Sequence, residues 1–113
     1  MGDPTLLFVL TSLDDGAAAA ALARTLVEER LAACVNVVPG AHSIYRWKGA
    51  LESAYEHRLV IKTTAAAWPA LARRLRELHP YELPEIVALA SHDADAAYAR
   101  WIAESVDAPG SDL

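Results

Sequence analysis

The sequence is poor in the residues that build disulfide frameworks, membrane spans and polyanion-binding surfaces. It has one cysteine among 113 residues, so no internal disulfide bond can form. The apolar run at residues 6–10 is far shorter than the roughly 18 residues of a membrane-spanning helix. Lysine and arginine number 10 against 15 acidic residues, which argues against binding of nucleic acid through its phosphates. We therefore expect a cytoplasmic protein with no membrane or nucleic-acid partner.

Chain length and hydrophobicity favour one domain. A chain of 113 residues with 54% hydrophobic residues can bury a core without metal or disulfide bonds. We predict a single domain over residues 1–113, with an ordered core at about residues 5–106. The tail from Asp107, which contains proline and glycine, is predicted to be frayed.

Hydrophobic periodicity predicts three strands and a helix in the first half of the chain. Residues 6–10 form a continuous apolar run that fits a buried strand. Residues 34–47 have strand composition, and side chains alternate in character through about residues 51–63. Asp14 or Asp15 is placed to cap a helix between the first two strands. Strands two and three then form a long hairpin, bent at Pro-Gly and closed by Lys-Gly.

The second half adds two helices and a fourth strand. Thr63 or Thr64 is expected to open the second helix, and residues 84–90 have strand composition. Asp93 or Asp95 is expected to cap a last helix. The order β-α-β-β-α-β with an extra C-terminal helix predicts an α+β, ferredoxin-like sandwich.

The hairpin carries aromatic side chains that two helices cannot cover. Tyr45, Trp47 and Tyr55 add apolar surface to a sheet whose second face is still open. A long, unpaired edge strand also invites association with another chain. We therefore predict a homo-oligomer; Tyr45 and Trp47 serve either its interface or a ligand cleft beside it.

Two segments hold side chains that are capable of chemistry. The turn at residues 79–85 gathers an imidazole, a phenol and two carboxylates in seven residues. It is either a rigid turn in which His79 ends the helix or a functional loop. Glu56 and Lys62 lie on one face of the third strand, where each is either a solvated charge or a site residue.

Motifs for catalysis and for preformed metal sites are missing from the sequence. It has no Gly-rich phosphate loop, no Gly-x-Ser-x-Gly motif and no triad signature, so we predict no enzyme activity. The histidines and Cys34, which is expected to be a buried thiol, lack zinc-site spacing. A copper(II) site that uses a histidine and carboxylates at a subunit junction remains open.

Several motifs, in order and with compatible spacing, resemble those of the CutA divalent-cation tolerance family over about residues 6–102. They are Leu31-Ala32-Ala33-Cys34-Val35-Asn36, Pro39-Gly40, Ser43-Ile44-Tyr45-x-Trp47-x-Gly49, Glu56, Ile61-Lys62-Thr63 and His79-Pro80-Tyr81-Glu82-x-Pro84-Glu85. The resemblance implies a ferredoxin-like subunit and a tight homotrimer whose sheets pair edge to edge. It also implies architectural kinship with PII-like signalling trimers, and a role in tolerance to copper and other divalent cations.

The resemblance also suggests metal ligands. Copper ligands proposed within the family are a cysteine near the end of the first strand and a histidine pair before Pro-Tyr. Thr11 and Leu78-His79 occupy those positions here, so one of the three ligands is kept. The resulting hypothesis is a weaker site for Cu(II) or another divalent cation, formed by His79, Glu82 and Glu85, with no required cofactor.

Two alternative functions remain open. One is a PII-like signalling trimer that binds an anionic metabolite in clefts between subunits. Those clefts would be lined by Tyr45, Trp47, Glu56, Lys62, His79 and Tyr81. The other is a non-catalytic trimeric scaffold for an unknown protein partner.

Overall fold

The computed structural model describes residues 5–107, so the tail predicted to be frayed lies almost wholly outside the described residues. The elements are β1 (Leu6–Leu13), α1 (Gly16–Glu28), β2 (Cys34–Trp47), β3 (Ala50–Thr64), α2 (Trp68–Leu78), β4 (Val87–Ala90) and α3 (Ala96–Ser105). The strands form one antiparallel sheet in the order β2-β3-β1-β4. The predicted α+β class and the β-α-β-β-α-β order with an extra helix are confirmed.

The main core lies between one face of the sheet and the helices α1 and α2. Val9 of β1 lies opposite Ile61 of β3. Because side chains alternate between the two faces of a strand, both point to the helices, and both are fully buried. Leu26 of α1 and Leu75 of α2 are fully buried in the same cluster. The apolar side chains that recur along one side of each helix therefore pack against every second side chain of the strands.

The opposite face of the sheet is covered only at one end. Leu6, Ala99 and Ile102 form a small second core that fixes α3 on this face. Further along, Val87 and Leu89 of β4 are 44% and 52% exposed. This outer face therefore presents apolar surface to the solvent.

Capping and turn residues explain where the elements begin and bend. Asp15 is the N-cap of α1 and accepts hydrogen bonds from the amides of the next turn. Asp95 caps α3 in the same way. Lys48 and Gly49 have φ angles of 49° and 83°, the left-handed pair that a two-residue hairpin turn needs. The predicted bulge lies at Gly40, where the β2–β3 register shifts.

Three local predictions were wrong. Thr63 and Thr64 belong to β3, and α2 begins only at Trp68; the Thr63 hydroxyl instead donates to the carbonyl of Leu31 at 2.8 Å. β4 begins at Val87, later than residue 84. Cys34 is half-buried, because it faces the open side of the sheet.

None of the helices in the described part of the chain has the length and apolar content of a membrane span.

Candidate functional site

An open cleft of about 530 Å³ lies between the β2–β3 hairpin and the loop that follows α2. It is lined by Ser12, Asp14, Ser43, Tyr45, Trp47, Ala54, Glu56, Arg58, Tyr81, Glu82, Leu83 and Glu85. A second groove of about 540 Å³ lies between α1 and β2, where its walls are mainly alanine and valine. The first of the two is the candidate site, because it combines aromatic, acidic and basic side chains.

The hairpin wall of the cleft follows from strand alternation. Tyr45 and Trp47 are two residues apart on β2 and point to one face. Glu56 and Arg58 are likewise two apart on β3, and the antiparallel register places them on that same face. One sheet face thus carries both the aromatic rings and the charged groups.

A hydrogen bond between a phenol and a carboxylate ties the loop to β3. The Tyr81 hydroxyl donates to Oε2 of Glu56 at 2.7 Å. Burial, together with this bond to the Glu56 carboxylate, raises the pKa of Tyr81 far above its usual value. The phenol is therefore a neutral donor at physiological pH.

A bidentate ion pair holds the far end of the loop. The Arg58 guanidinium donates to both carboxylate oxygens of Glu85 and to the Ser12 hydroxyl. The hydrogen bond to Glu85 raises the pKa of Arg58 above its already high value. The planar guanidinium donates to both oxygens of one carboxylate at once, a geometry that a lysine ammonium cannot reproduce.

His79 lies behind the cleft and has both ring nitrogens occupied. It is the C-cap of α2, and its residue is only 7% exposed. Nε2 donates to the carbonyl of Ser12 at 2.9 Å, and the amide of Tyr81 donates to Nδ1 at 3.2 Å. Burial lowers the pKa of His79, which favours the neutral form of the ring.

The described residues of the chain do not fit the predicted metal site. A metal ligand needs a free lone pair, but both ring nitrogens of His79 are already hydrogen-bonded. The charge of the Glu85 carboxylate is already paired with Arg58. Glu82 lies 3.8 Å from the Lys48 ammonium. Within residues 5–107, no group of three or more His, Cys, Asp and Glu side chains is placed to hold a metal ion. The structure therefore does not bring His79, Glu82 and Glu85 together as a chelate.

The structure brings four of the six predicted cleft residues together. Tyr45, Trp47, Glu56 and Tyr81 line the cleft, whereas His79 is behind it. Lys62 lies elsewhere: its Nζ is 5.9 Å from the Phe8 ring centroid and 6.0 Å from that of Tyr98. Six residues of strand separate Lys62 from Glu56, which is about 20 Å.

Three residues that line the cleft, Arg58, Ser12 and Asp14, were not predicted to be site residues. Arg58 lies in the alternating segment of the third strand, two residues from Glu56 and on the same face. Ser12 and Asp14 follow the buried part of β1 and also reach the cleft. Their sequence signal was the change from apolar to polar residues after residue 10.

The charge of the cleft favours cations. Four carboxylates line it, from Asp14, Glu56, Glu82 and Glu85, together with a single guanidinium. Low-dielectric walls strengthen the field of such an excess charge.

Comparisons with known proteins agree on one family. The family model "CutA1 divalent ion tolerance protein" matches residues 7–105. The divalent-cation tolerance protein CutA of Thermus thermophilus is 47% identical over 97 residues, which cover 86% of this chain and 94% of that protein. The protein of the same name from Escherichia coli O45:K1 is 39% identical over 102 residues, with 90% and 91% covered. A crystal structure of CutA from Xylella fastidiosa is 40% identical, has a TM-score of 0.88, and is matched over 94% of this chain and 100% of that one.

Proposed function

The chain belongs to the CutA1 divalent ion tolerance family, and from that premise we propose that it acts, without catalysis, in tolerance to divalent metal ions. The match over residues 7–105 is the observation that carries this proposal. The order and sheet topology of the fold agree with it. Copper or another divalent cation is then the cargo of the protein, and no resident cofactor is needed.

The cleft supports weak cation binding in place of a tight chelate. The carboxylates of Asp14 and Glu82 line it and are both exposed to solvent. Oxygen ligands at an open surface suit a cation that keeps most of its water. We propose that Cu(II) or another divalent cation collects here as a hydrated ion.

We also propose that three copies of the chain assemble as a homotrimer. The partly uncovered outer face of the sheet and exposed hairpin residues such as Ile44 and Tyr55 support association, since a monomer would leave them in water. Native mass spectrometry of the purified chain, first stripped of metal and then given one equivalent of Cu(II) per subunit, tests assembly and binding together. A monomer mass would overturn the trimer. The cytoplasmic location stays a prediction.

Small-molecule signalling is the second candidate, because a cleft of about 530 Å³ is large enough for a small ligand. Its excess of carboxylates disfavours the anionic metabolite suggested by the sequence, and Lys62 does not line it. A scaffold, the third interpretation, needs none of the cleft residues.

Growth in copper tests the tolerance role. Cells that lack this protein are supplied with the wild type, with the cleft variant Asp14→Asn/Glu82→Gln, or with the control Asp93→Asn/Glu28→Gln. Both variants lose two negative charges, but only the first pair lines the cleft. We expect the wild type and the control to restore growth and the cleft variant to fail.

The possible results separate the two parts of the proposal. A wild type that does not restore growth in copper overturns the tolerance role. A cleft variant that restores growth as well as the control overturns cation collection at the cleft, but leaves the tolerance role standing.

A further inference from the structure

The Lys48 ammonium group occupies a position that has the two elements of an ammonium-binding site. Its Nζ lies 5.5 Å from the centroid of the Trp47 ring and 3.8 Å from Oε2 of Glu82. An aromatic face attracts a cation through its quadrupole, and a carboxylate attracts it through its charge. Trp47 and Glu82 both line the cleft, so the Lys48 ammonium lies at its rim.

The cleft beyond this rim has the composition of an organic-cation site. Tyr45, Trp47 and Tyr81 supply three aromatic rings, and Leu83 adds an exposed apolar side chain. The lining carboxylates outnumber the single guanidinium of Arg58 by four to one. A metal ion gains nothing from apolar walls, whereas an alkyl ammonium uses both the walls and the charge.

We propose that the cleft binds a small aliphatic diamine. One ammonium group lies between the Trp47 ring and the Glu82 carboxylate, where Lys48 lies in the free protein. The methylene chain packs along the aromatic wall, and the carboxylates of Asp14 and Glu56 attract the second ammonium group. This proposal goes beyond metal tolerance and does not rest on it.

Lys48 is an internal competitor that a ligand can displace. The side chains of Lys48 and Glu82 are 71% and 74% exposed, so water screens their contact. Removing the Lys48 charge frees the ammonium position and makes the cleft more negative. The variant Lys48→Gln should therefore bind a diamine more tightly than the wild type.

Lys62 provides a matched control, because it is the only other lysine of the chain. Its ammonium lies near the Phe8 and Tyr98 rings and does not line the cleft. Lys62→Gln changes the net charge by the same amount as Lys48→Gln. Any difference between the two variants therefore reports the local position of Lys48.

Isothermal titration of the metal-free protein with 1,4-diaminobutane, in the presence of a chelator, tests the proposal. We expect saturable binding that Lys48→Gln tightens about threefold to tenfold and that Glu82→Gln weakens about fivefold. Lys62→Gln should bind like the wild type. The neutral analogue 1,4-butanediol should not bind, since it has the chain without the charge.

Two results would overturn the proposal. One is the absence of saturable heat in both the wild type and Lys48→Gln. The other is an equal gain in Lys48→Gln and Lys62→Gln, which would show a general charge effect. Since no metal is present, neither result bears on the tolerance assay in copper.

Discussion

The phenol of Tyr81 donates a 2.7 Å hydrogen bond to the carboxylate of Glu56, which joins the loop after α2 to the middle of β3. Loss of this bond in Tyr81→Phe leaves a half-buried carboxylate without its donor. We expect the free energy of unfolding to fall by about 1 kcal/mol. Urea unfolding at fixed protein concentration measures the change.

Tyr45→Phe is the control for this variant. Tyr45 lines the same cleft but is 43% exposed, so water replaces any interaction of its hydroxyl group. Its removal should change the free energy of unfolding by only a few tenths of a kcal/mol. Equal effects of the two variants would contradict a specific role for the bond between Tyr81 and Glu56.

The buried imidazole of His79 predicts a loss of stability in mild acid. Burial holds the pKa of the folded state below the unfolded value of about 6.5. Between these two values the unfolded chain binds more protons, so stability falls as the pH falls from about 6.5 towards the folded pKa. Protonation of Nδ1 would also break the bond that it accepts from the amide of Tyr81.

Comparison of His79→Gln with the wild type isolates this titration. We expect thermal midpoints between pH 7.5 and 5 to decline less steeply in the variant, after each series is referred to its value at pH 7.5. His42→Gln, at an exposed position of the hairpin, should retain the slope of the wild type. A His79→Gln slope equal to that of the wild type would refute the prediction.

The ion pair between Arg58 and Glu85 predicts a local change in the dynamics of the loop. Arg58→Lys keeps the charge but cannot form the fork to both oxygens of Glu85. We expect the amides of residues 81–86 to exchange with deuterium faster in this variant, because one anchor of the loop is weakened. Hydrogen exchange read by mass spectrometry measures this directly.

Arg74→Lys gives a control with the same chemistry at another place. Arg74 forms a fork to both oxygens of Glu29, and its side chain is 35% exposed, against 34% for Arg58. Its replacement should leave the exchange of residues 81–86 unchanged. Faster loop exchange in both variants would mean a global loss of stability and not a released loop.

Local patterns predicted most of the fold, because they depend on neighbours in the sequence. Apolar strand and helix patterns predicted the type and order of all seven elements, and the capping aspartates Asp15 and Asp95 marked the starts of α1 and α3. The α+β class followed from that order. The start of α2 was wrong, because Thr63 bonds to Leu31, which is 32 residues away. The pairing of Arg58 with Glu85 also links distant parts of the chain, so no spacing rule could reveal it. Lys62 was grouped with the cleft residues because periodicity gives its face of the strand but not its distance from them.

The hydroxyl group of Thr11 predicts a substitution that stabilises the protein. Thr11 is fully buried on β1, and its Oγ1 has no hydrogen-bond partner within the described residues. A buried polar group without a partner lowers stability, because it loses its bonds to water in the folded state. Thr11→Val keeps the shape and removes that cost, so we expect the free energy of unfolding to rise by about 1 kcal/mol.

Thr63→Val is the matched control, since it makes the same change in an equally buried strand residue. The Thr63 hydroxyl donates to the carbonyl of Leu31, so its removal costs a real bond. We expect this variant to lose about 1 kcal/mol in urea unfolding, opposite in sign to Thr11→Val. If Thr11→Val is destabilised as much as Thr63→Val, then the Thr11 hydroxyl has a partner in the folded protein, such as a buried water molecule, and the explanation of its cost is wrong.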